Sequence, residues 1–155
     1  MLPVPQLSAS VSGALDAVRG LTEEQRTGPE DRAALLVGLR QIIDTAEGAF
    51  TDVLAEFDAA GDGATLHAAA STAAWLRGAL GMPAPEATER VRIARSSSTE
   101  LAPAFAALRG DASSGAGVSY EHVRSIHRTL RALPPSSRPD AADALSALAP
   151  QLGVD

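Results

Sequence analysis

The chain has 155 residues, with no cysteine, no lysine, no asparagine and only 3% aromatic side chains. Each absence removes a class of mechanism. Without cysteine there is no disulfide, no thiolate zinc site and no thiol nucleophile. Without lysine there is no phosphate-loop lysine and no Schiff-base chemistry. With so few rings, packing falls to alanine and leucine. Alanine-rich helices approach closely and bury little area per contact, so stability must be summed over many contacts at roughly 25 cal/mol per Å² of apolar surface. A helical bundle suits that chemistry, and the length fits one domain around one core. Arginine in place of lysine, together with abundant alanine, points to a GC-rich genome.

Long apolar runs are also missing. No stretch approaches about 18 apolar residues, so no membrane span is expected. The opening MLPVPQLSAS has neither a basic region nor an apolar run, so no signal peptide is expected and a cytoplasmic location follows. A net charge of -6 argues against general nucleic-acid binding. The charge is unevenly placed, however. Residues 1–70 carry 4 Arg against 11 acidic residues, whereas residues 71–135 carry 8 Arg against 5.

Helical periodicity dominates and no run alternates long enough for a strand, so the expected fold is all-α. It is a single-domain bundle of about six to seven helices built on one long heptad-patterned helix. A short helix over 8–19 and a capping-box pair, Thr22 and Gln25, precede Gly28 and Pro29. The long helix is predicted over 29–60, with Pro29 in its first turn and Glu30 and Asp31 placed favourably against the helix dipole. Within it Leu36, Leu39, Ile43, Ala46, Phe50, Val53 and Phe57 recur at alternating spacings of three and four, the a/d repeat of a coiled coil. Two readings of this seam stand: it packs inside its own chain, or it joins two copies as a homodimer.

Further helices are predicted over 65–80, stopped by Gly81, over 84–96, over 99–109, over 119–133 capped by Ser119, and over 139–149. Residues 111–118, DASSGAGV, read as a flexible loop. The domain plan is a short helix and linker over 1–28, a helical domain over 29–150 and a tail over 151–155.

No arrangement of residues performs a reaction. His122 and His127 are five apart, about 140° around a helix, so they share no metal-binding face, and His67 stands alone. No metal or cofactor is expected. The arginines are the better candidates. Arg124, Arg128 and Arg131 stack on one helix face while Val123, Ile126, Leu130 and Leu133 cluster on another. Such a guanidinium stripe can meet phosphates bidentately, or can simply be a solvated face. Residues 75–82, WLRGALGM, followed by a helix bearing Thr88, Arg90, Arg92 and Arg95, also fit a helix-turn-helix. The seven candidate nucleic-acid contacts are therefore Thr88, Arg90, Arg92, Arg95, Arg124, Arg128 and Arg131. Trp75 reads most simply as a core anchor.

The segments STAAWL at 71–76, RVRIAR at 90–95 and the helix with His122 to Leu133 together resemble domain-of-unknown-function family 222. This helical domain of actinobacterial, mobile-element-associated proteins usually precedes an HNH endonuclease domain. The resemblance spans residues 29–149 and implies a helical accessory module. Its partners would be a nuclease domain, in the parent chain or in another protein, and DNA. An HNH site needs His ligands and a general base with a positioning Asn on a ββα element. This chain has no Asn and no predicted strand, so no catalytic residue carries over. It is read as a non-catalytic module, either a short relative without the nuclease or a domain cut from a longer protein. The alternative is a stand-alone homodimeric helical interaction protein without a nucleic-acid role.

Overall fold

The computed structural model describes Gly13, Asp16, residues 28–109 and residues 117–151. Among the described residues there are seven α-helices and no strand, so the all-α bundle is observed. The helices are α1 Pro29–Ala60, α2 Asp62–His67, α3 Thr72–Leu80, α4 Ala84–Ser96, α5 Ala102–Arg109, α6 Tyr120–Ala132 and α7 Arg138–Leu148, with 3-10 turns at Pro135–Ser137 and Ala149–Gln151. None of these helices is long and apolar enough to cross a membrane. The predicted helix over 8–19, the Thr22 and Gln25 pair and most of loop 111–118 lie outside the described residues, apart from Gly13, Asp16, Gly117 and Val118.

The chain divides into two units, Met1–Arg40 and Gln41–Asp155. In the first, α1 opens at Pro29 with Glu30 and Asp31 in its first turn, as predicted. Leu36 and Val37 are exposed there and Leu39 is half-buried.

The second unit holds the core, and α4 is its dividing wall. Ile93 of α4 faces one cluster, where Ala104, Phe105 and Leu108 of α5 meet Tyr120, Val123, Ile126 and Leu130 of α6 and Ala142 of α7. Ala87, Val91 and Ala94 of α4 face the other, with Leu54 of α1 and Leu76 of α3, and with Phe50, Trp75 and Met82 at its edge. Trp75 is half-buried, with ring centroids 4.5 Å from Phe57 and 5.6 Å from His67. It therefore anchors the border of the core and not its centre.

The heptad seam is not the buried stripe of α1. Buried instead are Asp44, Gly48, Thr51 and Leu54, on a face rotated by roughly 120° from the seam at about 100° per residue. Ile43 is 50% and Val53 65% exposed, while Phe50 and Phe57 are half-buried at the edge. The expectation that the seam packs inside its own chain therefore fails, within the second unit, for Ile43 and Val53. Small and polar groups win the inner face because they serve closer contacts. A Cβ at Gly48 would already lie 3.6 Å from Leu108 Cδ2. The Asp44 carboxylate accepts the backbone N–H of Tyr120 at 2.9 Å, placing an anion at the start of α6, where the helix dipole favours one.

The helix predicted over 65–80 is two helices. Ala68 adopts a left-handed conformation (φ 49) and closes α2 through hydrogen bonds to Ala64 and Gly63 carbonyls, and Ser71 then caps α3 by accepting the Ala74 N–H at 3.1 Å. A serine cap outweighs the helix propensity of the alanines around it. Gly61 ends α1 with φ 69, and Gly63 is buried where a Cβ would sit in van der Waals contact with the Phe57 ring at 3.4 Å. The predicted Ser119 cap is present and is reinforced. Its hydroxyl accepts the His122 N–H while His122 Nδ1 accepts the Ser119 N–H, a capping box with histidine in the usual Glu position.

Candidate functional site

The basic stretch predicted from sequence is folded into a groove of about 660 Å³ between α4 and α6. Five guanidiniums, Arg90, Arg92, Arg124, Arg128 and Arg131, line it against three carboxylates, Glu86, Glu89 and Glu121. The groove is therefore locally positive in a chain of net charge -6.

Arg90 is enclosed. Its Nη1 and Nη2 donate to both oxygens of Glu47 on α1, the second at 3.0 Å, and its Nε donates to Glu86 Oε1 at 3.0 Å. The Glu86 contact is the i, i+4 pair that the sequence spacing favours. The guanidinium also lies 5.3 Å from the centroid of Phe50 and 5.1 Å from that of Tyr120, within cation-π range. The bond to Glu47 holds Arg90 firmly in its charged form. Burial pushes the Tyr120 phenol up to about 12, so it stays protonated.

Arg124 and Arg95 are engaged too. Arg124 donates through Nε to Glu89 at 3.1 Å and through Nη1 to Glu121 at 3.0 Å. Arg95 forms a bidentate pair with Asp58, which holds that carboxyl below its usual range. Thr88 turns its hydroxyl back to the Ala84 carbonyl at 2.9 Å. The fitted helix-turn-helix is present as α3, Gly81 (φ 67) and α4. Its second helix, however, is ion-paired to α1 on one flank and to α6 on the other. Four of the seven candidate contacts, Thr88, Arg90, Arg95 and Arg124, thus have internal partners.

Arg92, Arg128 and Arg131 differ. All three are exposed, all three line the groove, and none forms an ion pair or hydrogen bond with a described residue. A second groove of about 400 Å³ continues the first and shares Arg92, Arg131 and His127 with it. His127 is buried, and its Nδ1 has no hydrogen-bond partner, a condition that costs about 1–3 kcal/mol. Burial, and after it the charge of Arg131, holds its imidazole below the usual range.

Sequence reasoning missed Glu47 and His127. Glu47 carries no local signal because its partner Arg90 is 43 residues away. His127 was legible only as a histidine that shares no metal-binding face with His122. Among the described residues no group of three or more His, Asp or Glu side chains could hold a metal ion. The exposed guanidiniums of Arg92, Arg128 and Arg131 are groups suited to binding anions. No protein-family model matches the chain, and no curated protein or solved structure matches it.

Proposed function

We propose that this chain is a non-catalytic helical module that docks on the phosphate backbone of DNA through Arg92, Arg128 and Arg131. In this reading it positions or regulates an HNH-type nuclease, in its parent chain or in another protein, and belongs with the cytoplasmic actinobacterial domains it resembles. The observation that carries the reading is the division among the arginines. Arg90, Arg95 and Arg124 are held by internal carboxylates, while Arg92, Arg128 and Arg131 share one groove without any. Unpaired guanidiniums on a common face suit repeated phosphates, each of which takes a bidentate hydrogen bond.

The test is binding of labelled duplex DNA across a salt series. Three phosphate contacts give a log–log salt slope of about -2.7. Replacing Arg92, Arg128 and Arg131 with Ala should lower it by roughly one for each lost contact. A chain that shows no salt-dependent binding to duplex or single-stranded DNA, or a triple variant with an unchanged slope, overturns the reading.

A second reading rests on α1. In the second unit Ile43 and Val53 are exposed, with Phe50 and Phe57 at the edge of the same face. We infer that a second copy of the chain covers this seam. Sedimentation at micromolar concentration tests it, since a monomer there excludes the homodimer.

A further inference from the structure

The shared wall of the two grooves carries a feature that the DNA-docking reading does not use. His127 is 5% exposed, it lines both grooves, and its buried Nδ1 has no partner. Buried polar atoms without a partner are few in native proteins and call for a reason. The charged groups around the imidazole are Glu89 and Arg92 from α4, Glu100 from the segment after α4, Arg131 from α6 and Arg138 from α7. Glu89 is held by Arg124, and Glu100 is paired with Arg138 at 3.3 Å. Arg131 and Arg92, the two arginines whose charge acts on His127, have no carboxylate partner among the described residues, and the unpaired Arg128 lines the first groove beside them. Burial, and after it the charge of the bare guanidiniums, disfavours a further positive charge and holds the imidazole toward its neutral form.

We propose that the two grooves form one anion site, in which a phosphate held between Arg92 and Arg131 brings a proton from solvent onto His127. The inference rests on the DNA-docking reading and adds its regulation. A bound phosphodiester cancels the field of the two guanidiniums, and the protonated imidazole adds a third positive charge beside it. Because linkage is reciprocal, the anion raises the His127 titration midpoint and acidification tightens the anion. A phosphodiester has no proton of its own to exchange across the histidine range, so the pH dependence belongs to the protein.

The experiment has two arms. In the first, the assigned His127 imidazole resonance is titrated by NMR with and without sulfate, which stays a dianion over that range. The midpoint is expected to rise with sulfate in the wild type and to stay put in the Arg92→Ala/Arg131→Ala double variant. Both replaced residues are exposed and without internal partners, so the variant should fold. A midpoint that ignores sulfate, or that moves equally in the double variant, overturns the site. In the second arm, affinity for duplex DNA should rise by up to about tenfold per pH unit on acidification through the His127 range in the wild type, and not in the double variant. If the resonance responds to sulfate through Arg92 and Arg131 but no DNA binds, the anion site stands and the DNA reading falls. If DNA binds with no pH dependence, the docking reading stands and the linkage falls.

Discussion

The inner and outer edges of the α4–α6 groove use the same side chain for opposite purposes. At the inner edge Arg90 meets Glu47, Glu86 and two rings, and holds α1 against α4. At the outer edge Arg92, two residues further along the same helix, forms no ion pair or hydrogen bond with a described residue. The contrast shows that a guanidinium is structural or available according to the carboxylates that tertiary packing brings to it. Charge density along the sequence does not decide this.

The largest expected effect probes the inner edge. Arg90→Ala leaves Glu47 without its main partner in a half-buried position, and should lower unfolding stability by about 2–4 kcal/mol in denaturant titration. A loss below about 1 kcal/mol would make Arg90 an ordinary surface pair and erase the contrast. Arg124 is intermediate. Its side chain is 33% exposed and shared between Glu89 and Glu121, so Arg124→Ala should cost about 1 kcal/mol in the same measurement.

A pH test follows from His127. Its folded midpoint lies below the ordinary value of 6.5, so as pH falls through 6.5 the unfolded chain takes up a proton that the folded chain refuses. Stability should therefore decline from that point until the folded midpoint is reached. Sulfate should blunt the decline in thermal melts if the outer arginines and His127 act together. The smallest expected effect is at the outer edge. Arg92→Ala, Arg128→Ala and Arg131→Ala should each change stability by less than about 0.5 kcal/mol. A larger loss in any of them would mean that the outer arginine holds the fold and is not free for a partner.

Much of the helical plan was legible in the sequence, for reasons that can be named. Pro29 with Glu30 and Asp31, Gly81, and Ser119 each mark an end by local chemistry, and α1, α3 and α6 begin or stop there. The Ala68 to Ser71 break was not legible, because the serine looked like one more polar residue in a run that favours helix. The seam on α1 was legible as a stripe but not as an exposed one. Its spacing is local, whereas the choice of inner face depends on how closely Leu108 and the start of α6 approach Gly48 and Asp44.

By itself, the sequence determined the helical class, the amphipathic division of α6 and the placing of basic charge in one stretch. All three follow from periodicity and composition over a few turns of chain. Only the tertiary structure decided which arginines are free, which face of α1 is buried and that His127 lies at the wall of a basic groove. The partners concerned are 35 to 76 residues apart, and an ion pair or hydrogen bond of that reach exists only once the helices have packed.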